Sequence, residues 1–142
     1  MHKIKITMST FTTLGVRKEY IKSIKEIGIS KPTEIQEKAI PVLLKSKTDF
    51  IGLAQTGTGK TAAFGLPVLH HIDADSENIQ ALILSPTREL VQQIKKQLFK
   101  FTKYVDERIF LEAVFGGEKI DRQMNNLKRT THIVIATPGR LI

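Results

Sequence analysis

The sequence predicts an α/β fold built on a mainly parallel sheet, and three observations carry that expectation. Apolar runs of strand length at residues 49–53, 80–84, 109–114 and 132–136 alternate with segments whose apolar residues recur at helical spacing. A glycine-rich loop, Ala54-Gln55-Thr56-Gly57-Thr58-Gly59-Lys60-Thr61, joins the first run to a helical one. Finally, 142 residues that are 41% hydrophobic suffice for one domain with a buried core. Strands alternating with helices imply right-handed crossovers and a sheet covered by helices.

Two helices precede the first strand. Tyr20, Ile21, Ile24 and Ile27 repeat at helical spacing, and Gly28 stands where a left-handed cap ends the helix. Thr33 caps a second helix whose buried stripe is Ile35, Ala39, Ile40, Leu43 and Leu44. The run 49–53 is the first expected strand, and the loop after it leads into a helix through Ala62, Ala63, Phe64 and Leu69. Pro67 lacks an N–H and crowds the preceding turn, which predicts a kink or an early end near residues 63–67. Residues 80–84 form the second expected strand, followed by a long helix with Leu90, Val91, Ile94, Leu98 and Phe101 on one face. A third strand at 109–114, a helix over about 118–127 and a fourth strand at 132–136 complete the order.

The loop 54–61 gathers four anion-favouring devices. Gly57 and Gly59 adopt backbone angles closed to other residues, so successive N–H groups turn inward. Lys60 supplies a point charge for β- and γ-phosphates, Thr61 offers a hydroxyl to Mg²⁺, and the helix that starts here directs its positive end at the same anion. The general pattern G-x-x-x-x-G-K-[ST] asks for glycine where this chain has Ala54.

Charge and composition narrow the partner. The net charge is +8, and residues 1–50 hold ten of the 22 basic but only five of the 14 acidic side chains, so the surplus lies before the loop. An acidic partner follows, and nucleic acid fits better than membrane because no apolar run approaches about 18 residues. With no cysteine there is no disulfide and no thiolate metal site, and the first residues lack a signal-peptide core, so a cytoplasmic location is expected.

Ligands of an open parallel sheet gather beyond the carboxyl ends of its strands. The first expected strand leads there to the phosphate loop. The others lead to Ser85-Pro86-Thr87-Arg88-Glu89-Leu90, to Gly116-Gly117 and to Thr137-Pro138-Gly139-Arg140. Two of these combine a hydroxyl, a helix-starting proline and an arginine, and one offers glycine N–H groups to an anion. So long a phosphate-binding track implies a polyphosphate backbone beside a nucleotide. His70-His71 lacks a spaced metal-ligand partner, and Asp106-Glu107 precedes a strand, so both are expected at the surface.

The chain resembles the DEAD-box RNA helicases from Phe11 to its last residue. The loop is similar to their form of the Walker A motif, in which alanine at the place of Ala54 is usual. Gly28-Ile29-Ser30-Lys31-Pro32-Thr33-Glu34-Ile35-Gln36 resembles the Q motif, with Phe11 as its upstream aromatic, although Ile29 replaces the aromatic often found there. Pro86-Thr87-Arg88-Glu89-Leu90, Gly116-Gly117 and Thr137-Pro138-Gly139-Arg140 resemble the three RNA-contact motifs of the first domain. The resemblance implies a three-layer RecA-like P-loop fold, with a Q-motif region at 9–37 and a P-loop and RNA-contact part at 38–142. It implies ATP and Mg²⁺ as ligands, with Ala54, Gln55, Thr56, Gly57, Thr58, Gly59, Lys60 and Thr61 cradling phosphates and Lys60 and Thr61 serving catalysis. Phe11 would stack on adenine and Gln36 would read its edge. Pro86, Thr87, Arg88, Gly116, Gly117, Thr137, Pro138, Gly139 and Arg140 would hold RNA.

Alternative roles are visible in the same residues. Thr33-x-x-Gln36 is also a capping box, and an isolated Phe11 is more often core. The Asp-Glu-Ala-Asp run, the Ser-Ala-Thr motif and the second RecA-like domain of the family are not in these 142 residues. The resemblance therefore implies an ATP-dependent RNA helicase whose 142 residues are expected not to hydrolyse ATP alone, the alternative being an inactive, truncated ATP- and RNA-binding module. The missing strand would leave unpaired sheet edges, so self-association is expected.

Overall fold

The computed structural model describes residues 8–46 and 48–142. Three helices come first: α1 (Lys18–Glu26), α2 (Glu34–Lys45) and α3 (Lys60–His70). Then β1 (Ala81–Leu84), α4 (Arg88–Phe101), β2 (Leu111–Val114), α5 (Ile120–Leu127), β3 (Ile133–Ala136) and α6 (Pro138–Leu141) follow. The strands are parallel in the order β1-β3-β2, so the last strand inserts between the other two.

The pleat divides the core. Ile133 and Ile135 of β3 are fully buried among Val91, Leu98 and Phe101 of α4 and Tyr20 and Ile24 of α1. Val134 and Ala136 point the other way, to Val114 and Leu127 of α5. Helices thus cover both faces of the central strand, as its unbroken apolar sequence requires. Tyr20 anchors α1 by donating its hydroxyl to the Leu69 carbonyl at 3.1 Å. Gly28, at φ +89°, ends α1 as expected: its N–H donates to Lys25 and that of Ile29 to Ile24.

Three expectations are corrected. Residues 49–53 form no strand among the described residues; Ile51 and Leu53 are 91% and 92% exposed. An apolar run becomes a strand only when a neighbour supplies N–H and C=O groups, and β1 pairs with β3 alone. Pro67 does not end its helix, because α3 continues to His70 with Leu66 and Leu69 buried. Packing of that last turn outweighs the lost backbone bond, and Gly65 permits it: a Cβ there would lie 2.5 Å from Leu98 Cδ2. Leu90 is exposed instead of lining the core, since it sits in the first turn of α4 beside an open cleft.

Candidate nucleotide and nucleic-acid site

The phosphate loop closes upon itself and upon α2. Gly57 and Gly59 have φ of +79° and +80°, the left-handed region expected of them. The ammonium of Lys60 reaches across to the Ala54 carbonyl at 2.9 Å, and the Thr58 hydroxyl donates to the Gln55 carbonyl at 2.6 Å. Among the described residues, the N–H groups of Gly57, Gly59, Lys60 and Thr61 donate to no protein acceptor, nor does the Thr61 hydroxyl. They remain available to an anion or a cation-bound oxygen. Thr56 is exposed at the rim.

Two residues of α2's amino end hold the loop. Thr33 donates its hydroxyl to the Thr58 carbonyl at 2.7 Å, and Gln36 Nε2 donates to the Gly59 carbonyl at 3.0 Å. The other end of the Gln36 amide accepts from the Thr33 N–H at 3.0 Å, the capping arrangement expected from sequence. Gln36 is 1% exposed. Phe11, by contrast, is enclosed in the core at 2% exposure, so in this conformation its ring presents no free face to a base.

A cleft of about 1380 Å³ lies between the loop and β1. Thr56, Gly57, Lys60 and Thr61 line one wall, and Leu84, Ser85 and Leu90 another. The loop therefore faces the carboxyl end of β1 although the strand expected before it does not form. Leu84 in the cleft wall and Leu82 before it on β1, whose outer edge is unpaired among the described residues, are 56% and 54% exposed.

At the carboxyl edge of the sheet the three remaining loops converge. Thr87 caps α4, accepting from the Leu90 N–H at 3.2 Å, and Arg88 follows it with Nε 2.9 Å from the Glu89 carboxylate. That guanidinium holds the Glu89 carboxyl below its usual range. Gly117 has φ +93°, and a Cβ on it would lie 3.0 Å from Arg88 Nη1. From the other side Arg140 Nε donates to the Phe115 carbonyl at 3.2 Å, and Nη2 to that of Glu118. Gly116-Gly117 is thus bracketed by the two arginines. Its N–H groups have no acceptor among the described residues, and a Cβ on Gly116 or Gly139 would meet nothing within 4 Å. Pro86 is exposed, while Thr137 and Pro138 begin α6 at this edge.

Among the described residues no three His, Asp or Glu side chains are grouped to hold a metal. His70-His71 and Asp106-Glu107 lie at the surface, where His71 contacts the Leu43 carbonyl and Glu107 pairs with Arg17 at 3.2 Å. Gln123 did not stand out in the sequence. It lies under the glycine loop, donating to the Phe115 carbonyl at 2.9 Å. Its one visible signal is a polar side chain within the stripe Ile120, Met124 and Leu127 of α5.

Comparison with known proteins agrees with this geometry. The profile of the DEAD/DEAH box helicases matches residues 33–142. The chain is 48% identical over 135 residues to the ATP-dependent RNA helicase CshA of Listeria monocytogenes, covering 95% of this chain and 25% of that protein. It is 47% identical over 131 residues to CshA of Limosilactobacillus reuteri, covering 92% and 26%. It thus spans about a quarter of the length of these curated relatives. Among solved structures, a DEAD box protein from Methanococcus jannaschii superposes with a TM-score of 0.86 at 32% identity, over 93% of this chain and 35% of that one. A variant of S. cerevisiae Dbp5 bound to RNA and ADP BeF3 gives 0.81 at 31% identity, over 93% and 32%. The small parallel sheet with helices on both faces is that of a RecA-like domain. A matched profile over most of the chain, relatives approaching half identity and a shared fold place the chain in the DEAD/DEAH box helicase family.

Proposed function

We propose that the chain binds ATP and one RNA strand at adjoining sites, as part of an ATP-dependent RNA helicase that couples ATP binding and hydrolysis to local unwinding of RNA duplexes. The observation that carries this reading is the hydrogen bond from Gln36 to Gly59, which joins a base-reading side chain to a triphosphate cradle. The names of the CshA relatives and the RNA and ADP BeF3 bound to the Dbp5 variant support it.

In this reading Lys60 exchanges the Ala54 carbonyl for the β- and γ-phosphates, whose oxygens meet the free N–H groups of Gly57, Gly59, Lys60 and Thr61. The Thr61 hydroxyl fits an Mg²⁺ ligand because no protein group claims it, and the ion when bound neutralises phosphate charge. Gln36 keeps one proton and one lone pair on its protein partners and offers the others to adenine. Phe11 and Gln36 are both enclosed, at 2% and 1% exposure, so stacking and edge reading alike require the structure to open around them when the base enters. Pro86, Thr87, Arg88, Gly116, Gly117, Thr137, Pro138, Gly139 and Arg140 hold the phosphates of one strand, positioning it without reading its sequence.

Residues 9–37 form the base-reading region of this unit and 38–142 its phosphate and RNA part. The free edge of β1, with Leu82 and Leu84 exposed, supports self-association of the 142-residue chain. No helix among the described residues is long and apolar enough to cross a membrane. From the likeness to RNA helicases we assign the protein to the cytoplasm.

Competition of ATP and GTP for a fluorescent nucleotide, and of oligouridylate and oligothymidylate for a fluorescent RNA, tests the reading. ATP and RNA are expected to win; equal competition in both assays would overturn it. RNA-stimulated hydrolysis of ATP by the same chain separates turnover from binding alone.

A further inference from the structure

We propose that Gln123 is a positioning residue for the RNA-backbone grip, acting through the Phe115 carbonyl on Arg140. The inference rests on the RNA reading above. Its basis is one shared acceptor. The Phe115 carbonyl receives Gln123 Nε2 at 2.9 Å and Arg140 Nε at 3.2 Å. A carbonyl oxygen has two lone pairs, so both are engaged and the peptide plane at the root of the glycine loop is fixed. The Glu118 carbonyl, beyond the loop, receives Arg140 Nη2. Arg140 is therefore clamped at both ends of Gly116-Gly117, with most of its N–H groups left for a phosphate.

Packing alone does not account for a glutamine here. Gln123 is 3% exposed and is the one buried residue of α5, whereas its apolar neighbours Ile120 and Met124 are about half exposed, so the helix buries an amide in preference to the hydrophobic side chains beside it. Its Oε1 is buried without a hydrogen-bond partner among the described residues. An orphaned acceptor is a penalty that an apolar residue would avoid, so what the amide contributes is its donor. That donor is spent on the carbonyl that aims Arg140. Without it the Phe115 carbonyl is free to turn, and Arg140 loses one of its two anchors.

The test is a double-mutant cycle on the 142-residue chain, read by fluorescence anisotropy of a labelled oligouridylate at salt concentrations from ~50 to ~200 mM. Arg140→Ala is expected to weaken binding several-fold and reduce the salt slope by about one. Gln123→Met is expected to move both quantities in the same direction, and the double variant to bind like Arg140→Ala alone. Additive effects, or a Gln123→Met chain with unaltered slope while Arg140→Ala loses one, overturn the inference and leave the RNA reading standing. If the unaltered chain does not bind RNA, both fall. Should Gln123→Met not fold, Gln123→Leu also removes the donor without adding charge; it carries the same expectation.

Discussion

Gln36 and Gly59 are fitted to each other: the amide nitrogen donates to the glycine carbonyl at 3.0 Å, and a Cβ on the glycine would collide with that nitrogen. Gly59→Ala is therefore expected to disturb two motifs at once. It imposes φ +80° on a residue for which the left-handed region costs about 1–2 kcal/mol, and it displaces the Gln36 side chain. Gly57 has a similar φ but open space around it, so Gly57→Ala keeps the strain and omits the collision. Nucleotide titrations of both variants should show the greater loss for Gly59→Ala; equal losses would mean that Gln36 does not matter to the loop.

Base selection separates from phosphate binding by a second pair of variants. Lys60→Ala removes the charge at the loop and is expected to weaken ATP and GTP alike. Gln36→Ala removes the proposed base reader and is expected to erase the preference for ATP, while leaving the Thr33 N–H unpaired at about 1–3 kcal/mol; the Gly59 carbonyl keeps the Ala63 N–H at 3.1 Å. Calorimetric titration with both nucleotides, beside thermal melts, distinguishes the roles. A lower melting temperature with ATP preference retained would make Gln36 a helix cap and nothing more.

His132 holds the amino ends of two strands. It is fully buried; Nδ1 accepts from the Phe110 N–H at 3.0 Å, and Nε2 donates to the Ser76 carbonyl at 2.8 Å. His132→Phe keeps the ring and leaves both backbone groups unpaired, for an expected loss of about 2–4 kcal/mol. The melting temperature should fall on the order of 10 °C, given about 2–4 °C per kcal/mol in a domain of this size. An unchanged melt would mean that water reaches both groups.

Tyr20 supplies a pH dependence. Burial pushes its phenol up to about 12, against an ordinary value near 10, with Glu107 adding to the rise and Arg17 opposing it. The folded state then holds the proton more tightly than the unfolded one, so the associated stability is intact below about pH 10 and is lost as pH climbs toward 12. Two units correspond to about 2.7 kcal/mol. The difference in unfolding free energy between the unaltered chain and Tyr20→Phe, followed by denaturant titration, should narrow by roughly that amount over this window. A constant difference would place the hydroxyl in contact with water.

The sequence was informative where a residue's environment is local and silent where it depends on a distant neighbour. Gly28, the Thr33 cap and the three strand-end loops after β1, β2 and β3 followed from spacing alone, because turns and caps are decided within a few residues. The run 49–53 has strand composition, yet pairing depends on which segment lies alongside, and nothing in Phe50 or Ile51 encodes that. Phe11 lies in the core because α1 and its neighbours close around it. Gln36 and Gln123 share a legible mark, an amide within an apolar helical stripe. A polar residue at such a position must have a buried partner, and the partners, Gly59 and Phe115, belong to other segments.

Thr87 caps α4, and in the proposed function it also meets an RNA phosphate; substitution can divide the two. Its hydroxyl caps α4 through the Leu90 N–H, and it stands between Pro86 and Arg88 in a loop assigned to RNA phosphates. Thr87→Ala removes both functions: α4 should lose about 1 kcal/mol and RNA affinity should fall. Thr87→Asp retains a good cap and favourably places a negative charge at the helix amino end, so the melting temperature should match or exceed that of the unaltered chain. The same carboxylate repels a phosphate, and RNA binding should weaken further than in Thr87→Ala, most strongly at low salt where screening is least. Melts and RNA titrations of the two variants therefore move in opposite directions if Thr87 faces the backbone. If Thr87→Asp binds RNA as the unaltered chain does, the loop is a helix cap alone and the RNA path runs elsewhere.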